Sequence, residues 1–292
     1  MNALIFGVNS QDGFYLSIIF ELNNIKTVGV SRSDGNWMRG DVCDKDFVFS
    51  IIKSIKPKYI VHLAAISTTN HNALFENHEI ISTGTLNILE AVKNFSPNSK
   101  VFITGSGVQF KNKGCPIDEN TNFEANSSYS VARIQSVYAA RYYRQLGFSV
   151  YVGYLFHHES YLRKSHHVSK KITETVSRIK DGSNEKLIIG DPNVTKEWTF
   201  AGDVASAIFC LLKQDNVFEV CIGSGLTYSI QDWIEICFGL VNIDWRKHLV
   251  VEENFKSEYL TLISNPKLIK SLGWQISTDI NMLAYKMINR LL

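Results

Sequence analysis

The chain has 292 residues, 45% of them hydrophobic and 20% charged, with a formal net charge of +2. At roughly 100–200 residues per domain this allows one large or two small domains with a proper core, and it excludes a disordered or fibrous chain. The near balance of charge, with no dense Lys/Arg block, excludes nucleic acid as the expected partner.

The five cysteines, Cys43, Cys115, Cys210, Cys221 and Cys237, are scattered, odd in number and free of any Cys-x-x-Cys pair. A reduced, cytoplasmic compartment is the simplest expectation. The opening MNALIFGVNSQDG lacks a basic leader and a small-residue cleavage site, so no signal peptide is expected. No apolar stretch approaches the roughly 20 residues that cross a bilayer, so no membrane partner is expected either.

In chain order, residues 3–6 predict a strand, 12–23 a helix, 27–30 a second strand and 58–62 (KYIVH) a third. A long helical pattern covers 72–94, a fourth strand 100–104 (KVFIT), a helix 128–146 and a further strand 149–156. Apolar, β-branched strands separated by helices predict an α/β, Rossmann-type fold with a parallel doubly wound sheet. After residue 156 the rhythm changes, with short helices near 202–213, 229–239, 266–272 and 279–292. This divides the chain into a dinucleotide-binding domain over 1–156 and a smaller lobe, mainly for substrate, over 157–292. Some segments of that lobe are expected to return to the sheet.

The first strand runs into Gly7-Val8-Asn9-Ser10-Gln11-Asp12-Gly13 and then a helix. Small residues at this spacing let the backbone approach a pyrophosphate that faces the helix N-terminus. Ser10 stands where a glycine is usual. At the end of the second strand, NAD-binding folds place an acid for the ribose 2′-hydroxyl. Here the residues are Val30-Ser31-Arg32-Ser33, with no acid before Asp34. Arg32 suits a 2′-phosphate, which predicts NADP(H) over NAD(H) as cofactor. Asp41 and Val42 suit the adenine, and Leu63, Ala64 and Ala65 end the third strand where the backbone passes the cofactor. His62 reads as a structural histidine at a strand end.

These segments, in this order, resemble the extended short-chain dehydrogenases, and the GDP-mannose 4,6-dehydratase family in particular. ALIFGVNSQDGFYL is similar to that family's opening, and Leu155-Phe156-His157-His158-Glu159-Ser160 to its Leu-Phe-Asn-His-Glu-Ser segment. Val168 to Thr173, Lys196-Glu197-Trp198, and Ser264-Asn265-Pro266-Lys267 through Leu272-Gly273-Trp274 are similar to its later signatures. The resemblance implies an enzyme of nucleotide-diphosphate sugars that pairs as a homodimer or homotetramer through the helices over 72–94 and 128–146. It also implies catalysis by a Tyr-x-x-x-Lys helix beside a hydride-transferring nicotinamide.

The chain departs from that pattern. Tyr129 matches the tyrosine, but Arg133 stands at the lysine, keeping the charge in a bulkier planar group that cannot lose its proton. Ser106-Gly107-Val108-Gln109 replaces Ser-Thr-Ser-Glu, so Gln109 stands where the dehydratase has its general base, and an amide cannot act as one. Ser106 remains a candidate hydroxyl. On the substrate side, His157 replaces an Asn and Lys196 an Arg, while Glu159, Val168, Lys171 and Glu258 match. Arg163, Lys170, Lys171 and Lys196 form a candidate diphosphate cradle. The pairs His157-His158 and His166-His167 lack zinc-site spacing, so no metal is expected. Four activities stay open: a dehydratase, a 4-keto-6-deoxy-sugar reductase, a non-catalytic relative and an epimerase.

Overall fold

The protein is described by a computed structural model covering Met1–Leu292. Strand β1 (Asn2–Phe6) leads into helix α1 (Gln11–Leu22), then β2 (Lys26–Ser31), β3 (Met38–Arg39), α2 (Lys45–Ile55) and β4 (Tyr59–His62). A helical run follows, made of α3 (Leu74–Asn77), a π-turn over His78–Thr83 and α4 (Gly84–Phe95). Next come β5 (Lys100–Ser106), α5 (Ser128–Gln145), β6 (Val150–Leu155), β7 (His158–Glu159) and α6 (Val168–Lys180). The C-terminal part holds β8 (Leu187–Ile189), β9 (Thr195–Glu197), β10 (Thr199–Phe200), α7 (Ala201–Leu212), β11 (Glu219–Ile222), β12 (Thr227–Ser229) and α8 (Ile230–Gly239). It ends with β13 (Leu249–Val251), β14 (Thr261–Leu262), α9 (Lys267–Ser271) and α10 (Ile280–Ile288).

Seven strands form one sheet in the order β11-β6-β5-β4-β1-β2-β3. Every pairing in it is parallel. This is the Rossmann-type doubly wound arrangement, with its order reversing beside β1. Alternate residues of each strand enter opposite cores. Ile5, Val61 and Phe102 face α1 and α7 through Leu16, Phe20 and Ile208. Leu4, Ile60, Val101 and Ile103 face α2, α4 and α5 through Ile52, Ile88 and Val137. Burial on both faces is why these strands read as continuous apolar runs.

Two segments from the second half of the chain join this framework. Strand β11 pairs in parallel with β6, Glu219 beside Val152 and Ile222 beside Leu155. Helix α7 packs along α1. The remaining lobe gathers α6, α8 and α10 around Trp233, whose ring stacks on Trp198 at 4.6 Å and 9°.

Local signals explain two elements that periodicity did not predict. Helix α2 starts at Asp44, whose side chain accepts from Phe47 N, and stops where Lys56 turns left-handed at φ 44°. Helix α6 has no capping side chain at its start and is held by burying Ile172, Val176 and Ile179.

Candidate active site

A cavity of about 900 Å³ opens where β1, β4 and β5 end, between the sheet and the smaller lobe. Parallel doubly wound sheets bind their ligands at this edge. One half is built by the loop after β1. Gly7 adopts φ 86°, and a Cβ there would stand 2.6 Å from Ala64 N. Its N–H donates to Val30 O at 2.9 Å. Ser10 caps α1: its Oγ accepts from Gly13 N at 3.1 Å and donates to Gly7 O at 2.8 Å. The N–H groups of Gln11 and Asp12 find no acceptor within the chain, so this helix start offers free donors and a positive dipole end to an anion.

Arg32 lies exposed at the end of β2 and makes no ion pair. Beside it, Ser33 Oγ accepts from Asn9 Nδ2 at 3.2 Å and lies 3.1 Å from Ser31 Oγ. Asp34, the nearest acid, pairs with Arg39 at 3.3 Å. Asp41 lines the cavity and accepts from Cys43 N at 2.9 Å. Val42, Leu63, Ala64 and Ala65 also line it. Gly13 does not. It sits behind the loop, where a Cβ would meet Val8 O at 2.6 Å, and so lets α1 approach closely.

The centre of the cavity belongs to α5. Tyr129 and Arg133, one turn apart, both line it. The Arg133 guanidinium lies 4.9 Å from the centre of the Tyr129 ring and donates through Nη1 to Thr104 O at 2.6 Å. Its Nε is buried without a partner. Thr104 Oγ1 in turn donates to His62 O at 2.7 Å. His62 is fully buried, its Nε2 3.1 Å from Ile80 O in the π-turn. Burial, and then the nearby Arg133 charge, lower its pKa to about 4. Ser106 lines the cavity at the end of β5. Gln109 does not: it is wholly buried, and its Oε1 accepts from Ser106 N at 2.8 Å. Its expected place among the catalytic groups is therefore corrected to a brace under Ser106.

The other half of the cavity is charged. His157, Arg163, Val168, Lys196 and Glu258 line it. Glu159 lies behind them, fully buried, 2.9 Å from His157 Nε2 and 3.4 Å from Arg163 Nε. Burial opposes its ionisation, but Arg163 and His157 together hold the carboxyl well below the usual range. Lys196 is 9% exposed with no acceptor for its ammonium, and burial lowers its pKa. Across the mouth, Thr69 Oγ1 bonds to Glu258. Burial, then Glu258, push Tyr259 up to about 12. Two expected substrate contacts are corrected. Glu159 acts through its neighbours from behind the wall. Lys171 points to the outer surface, where its Nζ donates to Ile188 O at 2.7 Å.

The family model for GDP-mannose 4,6 dehydratase matches residues 5–287. The chain belongs to the GDP-mannose 4,6 dehydratase family. It is 25% identical to GDP-mannose 4,6 dehydratase 1 of Arabidopsis thaliana, over 98% of this chain and 88% of that one. It is 27% identical to the GDP-mannose 4,6 dehydratase of Dictyostelium discoideum, over 98% and 94%. Among solved structures, RMD from Pseudomonas aeruginosa, complexed with NADPH, aligns at a TM-score of 0.88 with 18% identity, covering 99% of this chain and 97% of that one. UDP-glucose 4-epimerase of Thermotoga maritima, with UDP-glucose, aligns at 0.88 with 18% identity, covering 99% and 98%. These structures share the fold.

Within a GDP-mannose 4,6 dehydratase fold, the geometry adds residues that motif reading passed over. Thr104 anchors Arg133, His158 stands at Asp12, and Thr69 with Tyr259 frames the mouth. Only His158 had a visible signal, as the neighbour of His157 in one quoted segment. The paired histidines are engaged one by one rather than as a cluster: His157 on Glu159, His158 on Asp12. No helix is long and apolar enough to cross a membrane.

Proposed function

We propose that the chain is an NADP(H)-dependent enzyme of nucleotide-diphosphate sugars that works by hydride exchange through a 4-keto hexose. The observation that carries this is the position of Tyr129 and Arg133. They stand between an anion-binding helix start with a free Arg32 and a charged half holding Arg163 and Lys196. The residues present fit the dinucleotide. A left-handed Gly7 leaves the backbone bare, Gln11 and Asp12 offer free N–H groups, and Arg32 has no protein partner to compete with a 2′-phosphate. When bound, that cofactor supplies the hydride acceptor or donor.

The chain's own groups do the rest. The Tyr129 phenol exchanges a proton with the sugar oxygen, and the Ser106 hydroxyl donates to the same oxygen. Arg133 keeps its charge throughout and fixes Tyr129 from the ring face. Arg163 and Lys196 hold the diphosphate by charge-assisted bonds. By family, the conversion is the dehydratase type. The burial of Gln109 favours a second reading, reduction of a 4-keto-6-deoxy sugar, because that reaction needs no base at Gln109. A homodimer through α4 and α5 belongs to the same proposal, and Phe75, Leu86, Tyr138 and Tyr142 are exposed on that side.

The test is turnover followed by mass spectrometry. Protein is mixed with GDP-, CDP-, UDP- and dTDP-hexoses or their 4-keto-6-deoxy forms, with NADP⁺ or NADPH. Loss of water identifies a dehydratase, and gain of two hydrogens identifies a reductase. Tyr129→Phe abolishes either one while leaving ligand binding intact. Full turnover in that variant refutes the role of Tyr129, and ligand binding without any conversion points to the non-catalytic relative.

A further inference from the structure

Two adjacent histidines, His157 just before strand β7 and His158 at its start, face different halves of the cavity. His157 turns toward the charged substrate half. His158, 9% exposed, turns toward the cofactor loop. Its Nδ1 lies 2.7 Å from Phe156 O, and its Nε2 lies 2.9 Å from Asp12 Oδ1. Both neighbours are acceptors. A neutral imidazole with its one N–H on Nδ1 would leave an uncharged Nε2 2.9 Å from the Asp12 carboxylate. The Nε2–Asp12 Oδ1 approach is an ion-pair distance without hydrogen-bond alignment, so the imidazolium is favoured there by its charge against the carboxylate rather than by a second hydrogen bond.

The charges around His158 agree. Asp12 comes from α1, and Arg163 from the turn after β7; Tyr15 of α1 and the neighbouring β10, Thr199–Phe200, bring no charge. Arg163 is engaged by Glu159. Burial is the largest influence and disfavours the His158 charge, but the Asp12 carboxylate and the Phe156 carbonyl together leave its pKa raised. His157 differs because Arg163 already pairs its carboxylate. Burial, with Lys196 next, lowers the His157 pKa to about 4.

Asp12 has no other cation and lines the cavity in the first turn of α1, where the helix start would receive a diphosphate. An unpaired carboxylate there would repel it. We propose that the His158 imidazolium is a positioning residue that neutralises Asp12 at the cofactor loop, so that dinucleotide affinity depends on the His158 proton. The pair is fixed in place by Gln11, whose Nε2 donates to His158 O at 3.2 Å and whose Oε1 accepts from Ser160 Oγ at 2.8 Å. Because His157 directly precedes β7, the cofactor and substrate halves share one support. This role rests on the dinucleotide reading given above.

The test is fluorescence titration with NADPH from about pH 6 to about pH 9, a span covering ordinary and raised histidine values. It compares wild type, Asp12→Asn, His158→Gln and the double variant. Wild-type affinity falls about tenfold as pH rises through the His158 titration, the size expected for one partly screened charge. Asp12→Asn stays tight and shows only the nucleotide's own titration. His158→Gln is about tenfold weaker at low pH, and adding Asp12→Asn restores it. Identical profiles for wild type and Asp12→Asn overturn the inference while the cofactor reading stands. Failure of folded wild type to bind NADPH at any pH overturns the cofactor reading and this role with it. A second measurement needs no ligand. The imidazole resonance lost in His158→Gln titrates above the ordinary histidine value in wild type and drops in Asp12→Asn. A neutral His158 near pH 7 refutes the pairing.

Discussion

Gly7→Ala tests the cofactor loop in a way that separates strain from contact. The backbone at Gly7 has φ 86°, and an alanine held in that region costs about 1 kcal/mol. Its Cβ would also stand 2.6 Å from Ala64 N and 2.9 Å from Leu63 C. Those are backbone atoms at the end of a central strand, so the overlap is relieved only by moving the loop, at about 2 kcal/mol more. The loop does not move alone, because Gly7 O accepts from both the N–H and the Oγ of the α1 cap Ser10. The total of about 3 kcal/mol corresponds to a fall of about 6 °C in Tm for a chain of this size. Displacing the α1 N-terminus weakens NADPH binding about tenfold or more. Gly114→Ala is the control: φ is 75° there, but nothing lies within 4 Å of its Cβ. It costs only the conformational part, about 2 °C, with NADPH affinity unchanged. Thermal unfolding by circular dichroism and NADPH titration read both effects. If Gly7→Ala melts with Gly114→Ala and binds NADPH normally, the close approach to Ala64 is refuted.

Gln109→Glu does not bring back loss of water in the mass-spectrometric assay, because the side chain braces Ser106 from inside the protein. Its second carboxylate oxygen replaces an amide nitrogen that already lacks a partner, so stability falls by about 1–3 kcal/mol in urea unfolding. Efficient elimination by this variant would show that position 109 reaches the substrate. The pH dependence of stability carries the mark of His62. Its pKa is lowered from 6.5 to about 4 in the folded state. The unfolded chain therefore binds the proton more readily, and stability that is complete above pH 6.5 is lost as pH falls toward 4. The loss from this residue is about 3 kcal/mol. It appears as the part of the acid destabilisation in urea unfolding that His62→Gln lacks; parallel curves would place His62 in a wetter site.

The parallel sheet was legible because strands buried on both faces are continuously apolar, as in Leu4-Ile5-Phe6 or Tyr59-Ile60-Val61. The cofactor loop was legible because small residues at fixed spacing have few other uses. Strand β11 was not, since its place is fixed by pairing with β6 far back in the chain. The helical pattern over 72–94 was correct in extent but hid the π-turn that brings Ile80 O to His62. Side-chain direction was the main gap on the site itself. Gln109 and Ser106 are close in sequence, yet one is wholly inside the protein and the other lines the cavity. Lys170 and Lys171 looked alike, but one Nζ turns to Tyr161 O and the other to Ile188 O, neither of them lining the cavity. His158 needed its ring nitrogens located before it meant anything.

The place of β11 beside β6 also bears on how the protein is made. A growing chain emerges from the ribosome with β6 already synthesised and every residue of that strand destined for burial, but its outer partner follows only after the intervening lobe. Until then β6 is an apolar edge able to pair with another chain. Glu219, which finally receives Arg141, Arg144 and Tyr154, arrives at the start of the strand that covers this edge. The two halves are thus bound together during biosynthesis: translation halted before residue 219 leaves a sticky nascent sheet rather than the finished seven-stranded one.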